Sequence, residues 1–330
     1  MSLRASIKKI TQNRETSLII LIGILLFVVT MRAPGFVSFT NIERIVNDTS
    51  ILVMVSIGQF FVILTGGIDL SVASMIGLSG MSASMVNQYY PGMPAGLVLL
   101  IGMLIGMVLG MINGAAVAYG KVPPIITTLG TMSIYRGLTF VISGGQWVTA
   151  HEMTESYMNL PHGDFLGISN LIWWGVVVSV IMFYFSKYTK RGREIYAIGG
   201  NKIAAKFVGV EEKKVHMTIF TLSGVLSGLA GVMWTSRFAA AVNETAAGFE
   251  LQTVAACVIG GVSIAGGSGA VVGVVLGALF LGIINNALPV INLSPFYQLF
   301  IQGAIVLTAM LINTLSEKRR EQEFLKGRQQ

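Results

Sequence analysis

The sequence predicts an all-α, polytopic integral membrane protein of about ten transmembrane helices, some of them glycine-broken or re-entrant. Three observations lead there. Hydrophobic residues make up 53% of the 330-residue chain and charged residues only 11%, less than half the share of a soluble domain. Apolar segments recur along the whole chain, at lengths approaching the roughly 20 residues that cross a hydrocarbon core. Glycine is abundant, at 39 residues, as expected where membrane helices approach closely.

Taken in order, the first span, Ser17–Met31, follows Arg4, Lys8, Lys9 and Arg14. A cleaved signal peptide has the same outline, but Arg32, Ala33 and Pro34 offer no small-x-small cleavage site, so the segment reads as an uncleaved helix. Ser50–Thr65, Val72–Asn87, Ala95–Tyr119, Ile125–Ile142 and Asn170–Lys187 come next. Beyond a polar interruption lie Met217–Trp234, Leu251–Ile264, Gly269–Leu288 and Pro295–Leu315. Several are short and must be tilted, re-entrant or broken.

Ten crossings put both termini on one side. That side then holds 18 of the 22 Lys and Arg residues, leaving Arg32, Arg44 and Arg237 opposite and Arg136 within the fifth span. The other side holds Glu43, Asp48, Glu152, Glu155, Asp164, Glu244 and Glu250. Lys and Arg are retained in cytoplasmic loops, so both termini are expected in the cytoplasm. Trp147, Trp173, Trp174, Tyr89 and Tyr90 fall at outer boundaries and Tyr119, Tyr184 and Tyr188 at inner ones, the depth that amphipathic rings favour. The same distribution explains the net charge of +7 without a nucleic-acid partner.

The chain reads as a single membrane domain, 1–330, with two cytoplasmic features: the segment 188–216 and the tail 317–330. The first carries Lys190, Arg191, Arg193, Lys202, Lys206, Lys213 and Lys214. Its middle, Asn201 to Gly209, is expected to form a short helix with Ala204, Ala205, Phe207 and Val208 as an apolar side. A half-apolar helix in water needs a partner, which points to docking of a cytoplasmic protein.

Glycines at i, i+4 spacing mark packing faces: Gly102, Gly106, Gly110 and Gly114 in the fourth span, Gly224 and Gly228 in the seventh, Gly269, Gly273 and Gly277 in the ninth. Packing within the chain is the expected use of each stripe. A fragment also recurs. Gly66-Gly67-Ile68-Asp69-Leu70-Ser71 ends the second span and Gly260-Gly261-Val262-Ser263-Ile264-Ala265 the eighth. Internal repeats with broken helices at their interface are common in transporters. Paired glycines free backbone polar groups, tolerable only against protein or a water-filled cavity.

Five segments carry a resemblance: GGIDLSVAS at Gly66–Ser74, PPIITTLGTMSIYRGL at Pro123–Leu138, GREIYAIGGNKIAAKFVGV at Gly192–Val210, SGVLSGLAG at Ser223–Gly231 and AACVIGGVSIAGGSG at Ala255–Gly269. Together they resemble, over nearly the whole chain and in order, the permease subunits of ATP-binding cassette sugar importers, the branch carrying ribose, xylose, arabinose, galactose and autoinducer-2. The resemblance implies a bacterial inner-membrane permease that pairs with a second permease, identical or not, and sits on two cytoplasmic ATP-binding subunits. An extracytoplasmic binding protein delivers the substrate, and ATP and Mg are used by the partner, with no cofactor bound by this chain. Gly200, Asn201, Lys202, Ala204, Ala205 and Gly209 match the family's coupling segment. Ala73 stands where the family more often has Gly, another small residue.

Candidate path residues are Gly66, Gly67, Asp69, Ser71, Asn113, Thr127 and Thr128. Asp69 either lines a polar route, since intramembrane carboxylates are costly, or caps the third helix. Asn113, Thr127 and Thr128 either meet sugar hydroxyls or bond between helices. Arg136 either snorkels outward or braces an outer gate, and Glu244 and Glu250 are candidates to meet the binding protein. His151, His162 and His216 lack partners at metal-ligand spacing, so no metal is expected, and Cys257 reads as a small buried hydrophobe. There is no G-x-x-x-x-G-K-[ST] loop, since Gly120-Lys121 is followed by Val122, so ATP hydrolysis is expected elsewhere. The alternative is an ion-coupled secondary transporter of a small polar solute, with Asp69 as the ion site.

Overall fold

The computed structural model describes residues 14–290 and, beyond them, 294, 296–297, 299–301, 303–304, 307–308 and 311. The tail 317–330, most of the tenth span, and Arg4, Lys8 and Lys9 lie outside the described residues. Twelve helices are numbered here: α1 Arg14–Arg32, α2 Phe39–Leu64, α3 Val72–Tyr89, α4 Ala95–Ala118, α5 Pro124–Ser143, α6 Glu155–His162, α7 Asn170–Tyr188, α8 Lys190–Gly200, α9 Lys202–Phe207, α10 Glu212–Phe238, α11 Phe249–Ile259 and α12 Val271–Val290. Among the described residues seven of these, α1, α2, α4, α5, α7, α10 and α12, are long and apolar enough to cross a membrane.

The remaining predicted spans differ from that pattern for physical reasons. The eighth is not one continuous helix: α11 is 11 residues long, about 16 Å at 1.5 Å per residue, too short to cross by itself. Gly260 and Gly261 end it, with Gly261 at φ 83°, and the chain runs irregularly to Val271. The third, α3, is 18 residues long, rich in Ser, and buried over most of its surface by other helices rather than set against lipid. The second span starts earlier than its apolar run. α2 begins at Phe39, so Glu43, Arg44 and Asp48 are helical instead of lying in a loop.

α2 and α10 form the centre. From Thr49 to Leu64 every residue of α2 is buried, and α10 is buried along most of its length from Val215 to Ser236. A helix apolar all round is one enclosed by other helices. In contrast α1, α4, α5 and α7 expose Phe27, Val108, Val141 and Val180 on their outer faces. α1 is held by Val29, whose cluster joins Phe36, Ile45, Ile283 and Ala287.

The glycine stripes meet one another inside the chain. A Cβ on Gly106 would lie 2.2 Å from the Gly224 carbonyl oxygen, one on Gly110 2.2 Å from that of Phe220, and one on Gly228 2.4 Å from that of Gly102. α4 and α10 thus touch backbone to backbone. α12 does the same with α11: a Cβ on Gly273 would sit 2.2 Å from the Gly260 oxygen and one on Gly277 2.1 Å from that of Ala256. The order of these contacts makes α11 and α12 an antiparallel pair.

Between α5 and α7, a connection carries α6 and two two-residue strands, Val148–Thr149 and Asp164–Phe165, which pair with Ala240–Ala241 and Ile168–Ser169. Glu152 closes a capping box on Thr149, whose backbone N–H donates to it at 2.9 Å and holds its carboxyl below the usual range. At the other end lie α8 and α9, with Lys190, Arg191, Arg193, Lys202 and Lys206; this is called the basic end below.

Gly106→Ala should force α4 and α10 apart at a cost of about 1–3 kcal/mol, the range for overpacking. Gly96→Ala, with nothing within 4 Å of its added carbon, should be neutral or stabilising by up to about 1 kcal/mol. Thermal unfolding of both variants in detergent checks this, and equal midpoints would refute the contact.

Candidate functional site

The chain between α2 and α3 is not helical yet is buried at Gly67, Ile68, Asp69 and Ser71, so the polar backbone there must bond within the protein. Gly66, at φ 77°, and Gly67 turn the chain out of α2, their N–H groups donating to Ile63 and Val62 carbonyls at 2.8 and 3.2 Å. A Cβ on Gly67 would meet Pro124 at 3.1 Å, which brings the start of α5 against the turn. Thr128 of α5 donates to the Ile68 carbonyl at 3.2 Å. In the amide orientation that satisfies both groups, Gln59 donates to the Asp69 carbonyl at 3.0 Å and accepts from the Asp69 N–H at 3.2 Å.

Asp69 is fully buried. Its Oδ1 accepts from the Ser71 N–H at 3.0 Å and the Ser71 hydroxyl at 2.6 Å, and its Oδ2 accepts from the Ser223 hydroxyl of α10 at 3.0 Å. Asn113 of α4 donates to Ser71 Oγ at 2.8 Å, and Tyr135 of α5 donates to Asn113 Oδ1 at 3.1 Å and to the Leu109 carbonyl at 2.9 Å. The carboxylate therefore bonds just ahead of α3 instead of capping its first free amides, and one network ties the start of α3 to α4, α5 and α10. Asp69, Ser71, Asn113 and Thr128 are drawn together here. Thr127 is not: it is buried on another side of α5, and its hydroxyl finds no hydrogen-bond partner. Gln59, Tyr135 and Ser223 are not among the candidate path residues; the sequence marks them as polar residues within apolar helices, Tyr135 and Ser223 also within segments that carry the resemblance.

The second break, 260–270, meets the first. The Gly267 N–H donates to the Leu64 carbonyl at 2.9 Å, and a Cβ on Gly66 would be 3.6 Å from the Ala265 oxygen. Into this junction fits α8, an element the sequence reading had placed in a loop. A Cβ on Gly199 would lie 1.7 Å from the Leu64 oxygen and 2.5 Å from the Gly267 nitrogen, so only glycine fits. Tyr196 adds a hydrogen bond to the Gly269 carbonyl at 2.9 Å. The buried residues Gly192, Ile195 and Ile198 form its inward face, a periodicity present in the sequence.

Asn201 ends α8 and caps α9, accepting from the Ala204 N–H at 2.9 Å, and Gly209 leaves α9 at φ 84°. Lys202 pairs with Glu212 at 2.7 Å. The apolar side of α9 is the expected one at Ala204, Phe207 and Val208 but not at Ala205. Ala205 is 3% exposed and faces the protein, whereas Ile203, Phe207 and Val208 are 72%, 87% and 79% exposed. Ala204 is exposed as well. A cavity of about 630 Å³ opens at this end, with Gly66, Pro124, Ala265, Gly200, Lys202 and His216 in its wall.

At the far end Arg136 donates to the carbonyls of Asn243 and Thr245 at 3.0 and 2.9 Å, holding the 242–248 turn against α5. Glu244 is exposed on that turn and Glu250 is half-buried in the first turn of α11. Arg136 thus braces backbone, with neither carboxylate in direct contact among the described residues.

A family model described as the permease component of branched-chain amino acid transport systems matches residues 41–310. The ribose import permease protein RbsC of Haemophilus influenzae is 40% identical over 94% of this chain and 95% of its own. RbsC of Bacillus subtilis is 40% identical over 88% and 89%, and the D-allose transport system permease protein AlsC of Escherichia coli 35% over 86% of both. No solved structure matches the chain.

Asp69→Ala strands two hydroxyls and an N–H in a buried site and should cost about 1–3 kcal/mol. Asp69→Asn keeps the acceptor for Ser71, and Ser223 can turn its hydroxyl to accept, so it should cost about 1 kcal/mol or less. Thermal midpoints measured in one detergent decide; an Ala variant as stable as the parent would show that the network does not hold the break.

Proposed function

The chain belongs to this family of permease components, the membrane-spanning and non-hydrolysing part of ATP-binding cassette importers, and from that premise we propose that its solute is a monosaccharide or a related small polyol-like ligand. The similar permeases for ribose and D-allose support that choice of solute. Two permeases, identical or not, two ATP-binding subunits and an extracytoplasmic binding protein make up the proposed assembly. ATP and Mg belong to the partner. The basic end faces the cytoplasm in this reading, with both termini on it, because Lys and Arg concentrate there.

One observation carries the mechanism: the coupling turn and both helix breaks line the same cavity. α9 offers Ile203, Phe207 and Val208 to an ATP-binding subunit. Movement of α9 passes through Asn201 and Gly200 to Gly199, which sits against Leu64 and Gly267. The breaks at Gly66–Gly67 and 260–270 then shift the ends of α2 and α3 beside the cavity. Asp69, Ser71, Asn113 and Thr128 keep the start of α3 fixed as the wall of the path, with Thr127 beside them. At the outer end, Arg136 holds the turn that displays Glu244 near Glu250, a contact surface for the binding protein.

Phe207→Glu should leave membrane abundance unchanged and weaken retention of the ATP-binding subunit roughly ten- to a hundredfold, the effect of desolvating an unpaired charge. Retention and uptake equal to the parent would remove α9 from the docking surface. Uptake in vesicles should require ATP and survive collapse of proton and sodium gradients; arrest by an ionophore while ATP stays high would favour ion coupling.

A further inference from the structure

Away from the coupling cavity, the outer ends of α2, α10, α11 and α12 enclose a second cavity of about 160 Å³. Its wall combines Trp234 with Asp48, Arg237, Gln252, Asn285 and Asn286. At Gly282, also in the wall, α12 packs close against α2: a Cβ there would lie 1.8 Å from Thr49 Oγ1.

The chemistry of this wall is specific. The indole of Trp234 is fixed by Phe249, edge-on at 5.1 Å and 89°, and by Phe238 at 5.6 Å. It offers a rigid apolar surface of the kind on which the C–H face of a sugar ring rests. Around it stand one carboxylate, one guanidinium and three amides, planar groups whose paired donors and acceptors match adjacent hydroxyls. Asp48 and Arg237 are paired with each other, so the site carries no net charge and suits a neutral polyol better than an ion. Asn285 belongs to this wall, and its Oδ1 is buried without a hydrogen-bond partner.

We propose that this cavity is an outer receiving site for one monosaccharide, in which Trp234 supports the ring and Gln252, Asn285 and Asn286 take its hydroxyls. The proposal rests on the sugar reading above and adds a place within a single permease where sugar is held after leaving its binding protein. Retention there should be weak, with a dissociation constant of roughly millimolar order, since the solute must move on.

The test uses the full-length permease in nanodiscs with Trp147, Trp173 and Trp174 changed to Phe, so that Trp234 is the sole indole. Titration with D-ribose, D-allose and L-arabinose should change its fluorescence saturably for at least one sugar, with inorganic phosphate as the charged control. Asn285→Ala and Gln252→Ala should weaken that binding tenfold or more and raise KM for uptake with unchanged membrane abundance. Asn285→Ala removes an unpartnered acceptor, so its thermal midpoint should not fall. Sugar uptake by both variants with the parent KM, together with an unresponsive Trp234, would overturn the site and leave the permease reading standing. Failure of the parent to import any sugar while it imports another solute would overturn both.

Discussion

Two helices end inside the body of this protein, and every backbone group so released has to be bonded there, since neither lipid nor protein interior offers water. Much of the structure follows from that constraint. Leu64 gives its carbonyl to Gly267, Ile68 to Thr128, and Asp69 both of its backbone groups to Gln59. The carboxylate of Asp69 then recruits Ser71 and Ser223. Elements far apart in the chain are fixed by the needs of one short turn, which is why α3, α4, α5 and α10 cannot be positioned independently of it.

Close backbone contact supplies what water-driven burial supplies in a soluble core. Lipid tails are as apolar as leucine, so helices gain by packing density and not by leaving water. α4 and α10 reach that density through Gly102, Gly106, Gly110, Gly224 and Gly228. The same device, applied at Gly199, Gly260 and Gly273, brings the helices of the basic end and the breaks together. Rigid contact of this kind is also a good transmitter: backbones that already touch cannot absorb a displacement by side-chain rotation.

The class of fold, the glycine stripes and the sidedness of charge were legible in the sequence because composition and short periodicities carry them. The length of α11 was not. Leu251–Ile264 is mostly apolar, and although its paired glycines point to a break, the φ 83° turn at Gly261 is what shows that the helix stops there and does not resume before Val271. α8 was hidden by the basic residues in and around it, although Ile195 and Ile198 repeat at helical spacing. The site shows the same divide. Asp69 was conspicuous as a lone acid, but Ser223 lies 154 residues away, and no local pattern links the two. On α9 the apolar residues were recognised, and Ala205 was assigned outward because a six-residue helix has too few turns to reveal which stripe its own protein takes.

Gly199 has a consequence for how such proteins can be recombined. The Leu64 carbonyl oxygen and the Gly267 nitrogen occupy the space that a side chain at this position of α8 would need. The segment 190–209 is therefore not a detachable piece that could be exchanged between permeases on its own. A chimera that swaps residues 190–209 alone would mate a foreign surface to two native turns. One that carries 62–67 and 263–269 along with it transplants a complete joint. The segment at the basic end and the internal bends of the membrane helices go together, as one mechanical part dispersed over three stretches of the chain.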